Sequence, residues 1–211
     1  FEDQFASELA QSINLKKASP NVEAQTEEVH LDTVLVTVVD KHKCAVSLIF
    51  SIFHSFGSGH ASEKYGLIFQ NRGAGFTLQK NHPNELAGGK RPLHTIIPAM
   101  VKKNNDLLMV YGVMGGQYQP VGHVRILSNL VDYGLDIQSA IDKPRSFSDS
   151  TGLLLEDGYS PKTASHLKTM GHHIIRPEAP LGGAQGILID NNRGILIGGS
   201  DPRKDGMAIG Y

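Results

Sequence analysis

The run Thr33-Val34-Leu35-Val36-Thr37-Val38-Val39 limits the folds open to this chain more than any other stretch, because six of its seven residues are β-branched. Such side chains are stiff at χ1 and crowd a helix, but they fit the pleated surface of a strand. The run shows no clean apolar–polar alternation, so it is expected in a sheet covered on both faces. What precedes it is different. Residues 1–32 carry seven Asp/Glu against two Lys/Arg, a net −5, whereas residues 33–211 carry 18 basic and 14 acidic residues, a net +4. Composition therefore changes at the Asp32–Thr33 peptide bond. A threonine at the head of a strand is ordinarily just a β-former. A cut before this one would give it a free α-amine, the base that a hydroxyl nucleophile needs.

At 211 residues and 40% hydrophobic content, the chain can bury a substantial core in one domain or two. A net charge of −1 leaves no electrostatic footprint for nucleic acid or for an anionic membrane. The single cysteine, Cys44, excludes an intramolecular disulfide framework and any all-cysteine metal site within one chain. The histidines, His94, His172 and His173 among them, show no metal-ligand spacing with acidic partners, and neither a metal nor an organic cofactor is expected.

Residues 1–17 read as an amphipathic helix, with Phe5, Leu9 and Ile13 on one face, and residues 21–32 as an exposed acidic linker. Val34–Asp40 and Ala45–Ser51 are expected to pair as a hairpin through Lys41-His42-Lys43. Further strands are expected near residues 93–101, 107–113, 153–156, 174–175, 185–189 and 194–197. Helices are expected over about 119–133, with Val121, Val124, Leu127 and Leu130 buried, and over 136–142 and 160–170. Strands outnumber helices and the helices come late, which suggests a layered α/β protein of the α+β type with mostly antiparallel sheets. Met114-Gly115-Gly116-Gln117 lies between a strand and a helix start. Backbone N–H groups at such a corner suit an oxyanion, although a diglycine alone is more often a tight turn.

Several separated segments then converge. Asp32-Thr33, Phe56-Gly57-Ser58-Gly59, Gln70-Asn71-Arg72-Gly73, Gly89-Lys90-Arg91-Pro92-Leu93, Met114-Gly115-Gly116, Asp132-Tyr133-Gly134 and Ser200-Asp201-Pro202-Arg203 occur in this order. Together they resemble the small-subunit region of the γ-glutamyltranspeptidase family, nearest to its bacterial cephalosporin-acylase-like branch. The resemblance implies the αββα sandwich of the N-terminal-nucleophile hydrolases. It also implies a precursor that cuts its own chain between Asp32 and Thr33, dividing residues 1–32 as the tail of a large subunit from a catalytic region, 33–211. The implied partner is that large subunit, in a heterodimer or a dimer of heterodimers, and the implied substrate is a small amide.

Carried over by position, Thr33 is the nucleophile, Ser51 a hydroxyl that hydrogen-bonds it, and Gly115 and Gly116 the oxyanion hole. His94 and Thr95 fall on two substrate-carboxylate positions where the transpeptidases usually carry serines. Arg72 and Gly75 stand where they carry a glutamine and an aspartate that hold the glutamyl α-amine. An arginine repels an ammonium group but can clamp a carboxylate through two N–H groups. The expectation is therefore a γ-glutamyl or glutaryl-like amide, with an acyl chain that lacks the α-amine favoured over γ-glutamyl. A competing reading is an unprocessed or inert family member with a structural or binding role.

Overall fold

The β-branched run does fold back on its neighbour: Lys43 takes a φ of +63° and the Asp40 N–H donates to the Cys44 carbonyl at 3.0 Å, closing a tight hairpin. The computed structural model describes residues 3–19 and 32–210. In chain order the elements are α1 (Asp3–Ser12), β1 (Asp32–Val39), β2 (Ala45–Phe53), β3 (Ala61–Ser62), β4 (Leu67–Ile68), a 3-10 turn (Arg72–Gly75), β5 (Pro98–Lys103) and β6 (Asp106–Met114). There follow α2 (Tyr118–Val131), α3 (Ile137–Asp142), β7 (Ser146–Ser148), β8 (Leu153–Leu155), α4 (Pro161–Thr169), β9 (Ile174–Ile175), β10 (Gly183–Asp190) and β11 (Ile195–Ser200). They fall into two compact units, whose described residues are 3–19 with 144–179 and 32–143 with 180–210.

In the larger unit, β11-β10-β6-β5 form an antiparallel four-stranded sheet, and the β1–β2 hairpin packs on one face of it. Gly112 on β6 makes that approach possible, because a Cβ there would stand 2.8 Å from Leu35 Cδ2. Ser47 Oγ also donates across the layers to the Tyr111 carbonyl at 3.0 Å. Helices α2 and α3 pack on the sheet's opposite face. Burial alternates cleanly along β2, with Ile49 and Phe53 inside and Val46, Leu48 and Phe50 outside. The hairpin is thus covered on one face only among the described residues. Its apolar outer side chains explain why the sequence reads as buried on both faces.

The smaller unit holds α1, a three-stranded sheet β7-β8-β9 with a parallel β8–β9 pair, and α4. Ser160 caps α4 by accepting from the Thr163 N–H, and Pro161 is its first residue, as expected. Two expectations are corrected. Helix α1 stops at Ser12 rather than 17, because Asn14 Oδ1 accepts from the Lys16 and Lys17 N–H groups and turns the chain. Helix α2 buries Tyr118, Gln119, Gly122, His123 and Ile126, while Val121, Val124 and Val131 are exposed. Gly122 sets that face: a Cβ there would meet Val113 Cγ1 at 2.7 Å, so the helix turns its smallest residue to the sheet. The acidic linker expected over 21–32 lies outside the described residues except for Asp32, the first residue of β1.

Candidate active site

Thr33 is half-buried at the head of β1, opposite Ser51 in the antiparallel register. The regular pairing breaks between Asp32 and Thr33, so the ladder irregularity falls on the bond expected to be cut. Thr33 Oγ1 donates to Ser51 Oγ at 3.1 Å, and the Phe53 N–H donates to the same oxygen at 3.0 Å. Phe53 has a φ of +77°, a left-handed conformation that costs a non-glycine residue about 1–3 kcal/mol.

At the end of β6 the chain turns through Gly115, φ +120°, and Gly116, φ +55°, into α2. Their carbonyls accept from the Tyr118 and Gln119 N–H groups at 3.0 and 3.2 Å. Neither the Gly115 nor the Gly116 N–H is hydrogen-bonded among the described residues. Two free donors at one corner, next to a helix N-terminus, have the chemistry of an oxyanion hole.

The third group surrounds Arg72. Its side chain is only 6% exposed and is not paired with a carboxylate among the described residues. Its Nη1 donates to Thr95 Oγ1 at 3.1 Å, and its Cζ lies 4.6 Å from the centroid of the Phe53 ring. Burial lowers the guanidinium pKa, yet arginine stays charged in proteins. Gly75 follows in the same 3-10 turn, and a Cβ there would lie 3.8 Å from Phe53 Cζ. His94 is placed differently. It is exposed, its Nδ1 accepts from the Ile96 N–H at 3.3 Å, and partial burial with the nearby Arg72 charge lowers its pKa.

One apolar cluster gathers these segments: Leu35, Ile49 and Met114, with Ile96 packed against them. Leu35 lies two residues beyond Thr33 and Ile49 two before Ser51, while Met114 and Ile96 adjoin Gly115 and Thr95. Thr33, Ser51, Gly115, Gly116 and Thr95 thus each lie within two residues of this cluster, and Arg72 joins them through its hydrogen bond to Thr95. Sequence reasoning missed Phe53, whose signal was a second aromatic-length side chain in phase with Ser51, and Gln119. Gln119 is fully buried and accepts from the Ile97 N–H through Oε1 at 3.1 Å, tying α2 to the segment that carries Thr95. Asp201 and Arg203 brace the C-terminal turn: Asp201 accepts from the Ala184 N–H at 2.8 Å, and Arg203 donates to the carbonyls of Ile141, Asp142 and Lys143. Among the described residues no group of three or more His, Cys, Asp or Glu could hold a metal ion, and no helix is long and apolar enough to cross a membrane.

The layers of helices and mostly antiparallel sheets match the fold of the N-terminal-nucleophile hydrolases, and solved structures agree. Cephalosporin acylase from Bacillus halodurans superposes with a TM-score of 0.84 at 33% identity, covering 100% of this chain and 39% of that one. The family profile described as Gamma-glutamyltranspeptidase matches residues 1–211, and the chain belongs to that family. The glutathione hydrolase-like YwrD proenzyme of Bacillus subtilis (strain 168) is 36% identical over 217 residues, 99% of this chain and 41% of that protein. The oxamate amidohydrolase proenzyme of Klebsiella pneumoniae subsp. pneumoniae is 37% identical over 188 residues, 85% of this chain and 36% of that protein. This chain thus spans about two fifths of the length of these relatives.

Proposed function

We propose that this chain is the catalytic part of a self-processing amidohydrolase or acyltransferase whose nucleophile is Thr33. The observation that carries the reading is the Thr33–Ser51 hydroxyl pair, placed where the β1 register breaks at the Asp32–Thr33 bond. Maturation begins when Thr33 Oγ1 attacks the Asp32 carbonyl. The C–N bond breaks as the ester C–O bond forms, and water then hydrolyses the ester, leaving a carboxylate on Asp32 and a free amine on Thr33. The preceding segment, residues 1–32, then ends a large subunit, and residues 33–211 form the catalytic region.

The freed α-amine, with an ordinary pKa of about 7.7–8.0, is partly neutral near pH 7 and accepts the hydroxyl proton. The oxygen attacks the substrate amide, and the Gly115 and Gly116 N–H groups stabilise the oxyanion, a contribution of about 3–4 kcal/mol per donor. The proton passes to the departing amine, and water or an acceptor amine releases the acyl group from Thr33. Every group in this route belongs to the chain itself.

Arg72 and Thr95 support a carboxylate-bearing acyl group. A buried guanidinium with one side-chain hydrogen bond has donors to spare, and an anion restores charge balance. An α-ammonium would be repelled there. Oxamate, in the name of one relative, also carries a carboxylate. The favoured substrates are glutaryl-like amides over γ-glutamyl amides, and faster turnover of a γ-glutamyl anilide than of a glutaryl anilide would refute that preference. The partner is the remainder of the precursor, which covers the bare outer face of the β1–β2 hairpin.

Intact mass after incubation of the full precursor near pH 8 tests the whole reading. Loss of continuity at the 32–33 bond, abolished by Thr33→Ala, is expected. An unchanged mass would instead favour an inert precursor with a binding role.

A further inference from the structure

Phe53 touches both halves of the site. Its N–H donates to Ser51 Oγ, the atom that accepts from the Thr33 hydroxyl, and its ring lies under the Arg72 guanidinium. Its left-handed backbone turns a bulky residue where the strand ends, and such outliers are kept when the surroundings enforce them. The surroundings here form a clasp. The His54 ring stacks on Phe53 at 4.7 Å, and Asn71 holds His54 by two contacts, Oδ1 with the backbone N–H at 3.0 Å and Nδ2 with Nδ1 at 2.7 Å. The Asn71 N–H donates to the Ile52 carbonyl at 3.1 Å, so residues 52–54 and 71–72 are fastened together.

We propose that Phe53 is the positioning residue that sets acid selectivity, holding Arg72 in plane for a substrate carboxylate while its backbone holds Ser51 beside the nucleophile. This rests on the amidase reading above. The physical reason is the geometry of stacking. An aromatic face attracts the flat face of a guanidinium and leaves its N–H edge free. Thr95 takes one Nη1 hydrogen, and the remaining edge donors stay available to a carboxylate in a bidentate fork. An arginine without the ring would keep its charge but lose its fixed plane, and charge alone gives weaker recognition of a planar anion.

The test uses the full self-processed protein with Phe53→Leu and Phe53→Met, which remove the ring at similar volume, and Phe53→Tyr, which keeps it. Substrates are glutaryl anilide and valeryl anilide, identical in length but with a methyl in place of the carboxylate. The kcat/KM ratio of glutaryl over valeryl is expected to fall roughly ten- to thirtyfold in the Leu and Met variants, mainly through KM, with Tyr restoring it. An unchanged ratio, whatever happens to either rate alone, overturns the proposal. So does failure of both ring-less variants to mature while Phe53→Tyr matures, since Phe53 would then serve the fold. If the wild type cleaves neither anilide, the amidase reading fails separately. Thermal shift with glutarate then decides: a shift in wild type that is lost in Phe53→Leu supports the proposal, and equal or absent shifts overturn it.

Discussion

A methyl group on Gly115 would stand 2.6 Å from the Gly182 Cα, in a residue whose φ of +120° already disfavours any side chain. Backbone cannot retreat as a flexible side chain can, so Gly115→Ala must shift the corner that aims the two free N–H groups. The expected result is a folded protein, less stable by about 1–3 kcal/mol, with kcat lowered about 10²- to 10³-fold as one oxyanion donor moves off line. Thermal melting and steady-state kinetics on the processed protein check both. The segments that resemble the transpeptidase family point to Thr33 and Ser51, and the strand-to-helix corner points to Gly115 and Gly116 without them. The company Arg72 keeps was not legible. Thr95 is 23 residues away and Phe53 is 19 away, and only the 3-10 turn and the packed loops bring them to one point.

Helix α2 turns a histidine inward. His123 Nδ1 donates to the Gln119 carbonyl at 2.7 Å, its ring lies 5.0 Å from Tyr111, and burial lowers its pKa. The unfolded chain takes up a proton near pH 6.5, whereas the buried ring resists it until lower pH. Stability from this group is therefore complete above about pH 6.5 and is lost as pH falls below it. His123→Gln keeps a donor but does not titrate. Its melting temperature should fall less than the wild type's between about pH 6.5 and 5.5, by the equivalent of at most about 1.4 kcal/mol, the ceiling for one proton over one pH unit. Parallel melting curves across that range decide it. Strand positions and the α4 cap were readable because period and cap chemistry are local. The buried face of α2 was not, since counting apolar residues points to Val121 and Val124. The sheet instead selects Gly122 for closeness, and one backbone partner each holds Gln119 Oε1 and His123 Nδ1, while the Nε2 atoms of both are buried without a partner among the described residues.

At the scale of the whole molecule, the outer face of the hairpin is an exposed apolar surface among the described residues. Val34, Val36, Val38, Val46, Leu48 and Phe50 are each between 44 and 55% exposed there. Val36 and Leu48 are register partners on it. Substituting both with lysine should leave the β1–β2 ladder formed, because neither side chain enters the core, yet prevent association with the rest of the precursor. Co-purification of the processed parts, with circular dichroism of the variant, measures the two effects separately. The layered class and the family segments were visible in the sequence. The bare face was not, because a strand apolar on both sides reads the same whether its second cover is in this chain or elsewhere. The β1–β2 pairing has a different consequence. Seven residue pairs, from Thr33–Ser51 to Val39–Ala45, fix the Thr33 hydroxyl to a stiff rack, while Arg72 and Thr95 sit on segments outside it. With Thr33 as the proposed nucleophile and Arg72 as the proposed acid clamp, substrate preference would be free to drift through those segments over evolutionary time without detuning the reactive end, so one chassis would serve many diets.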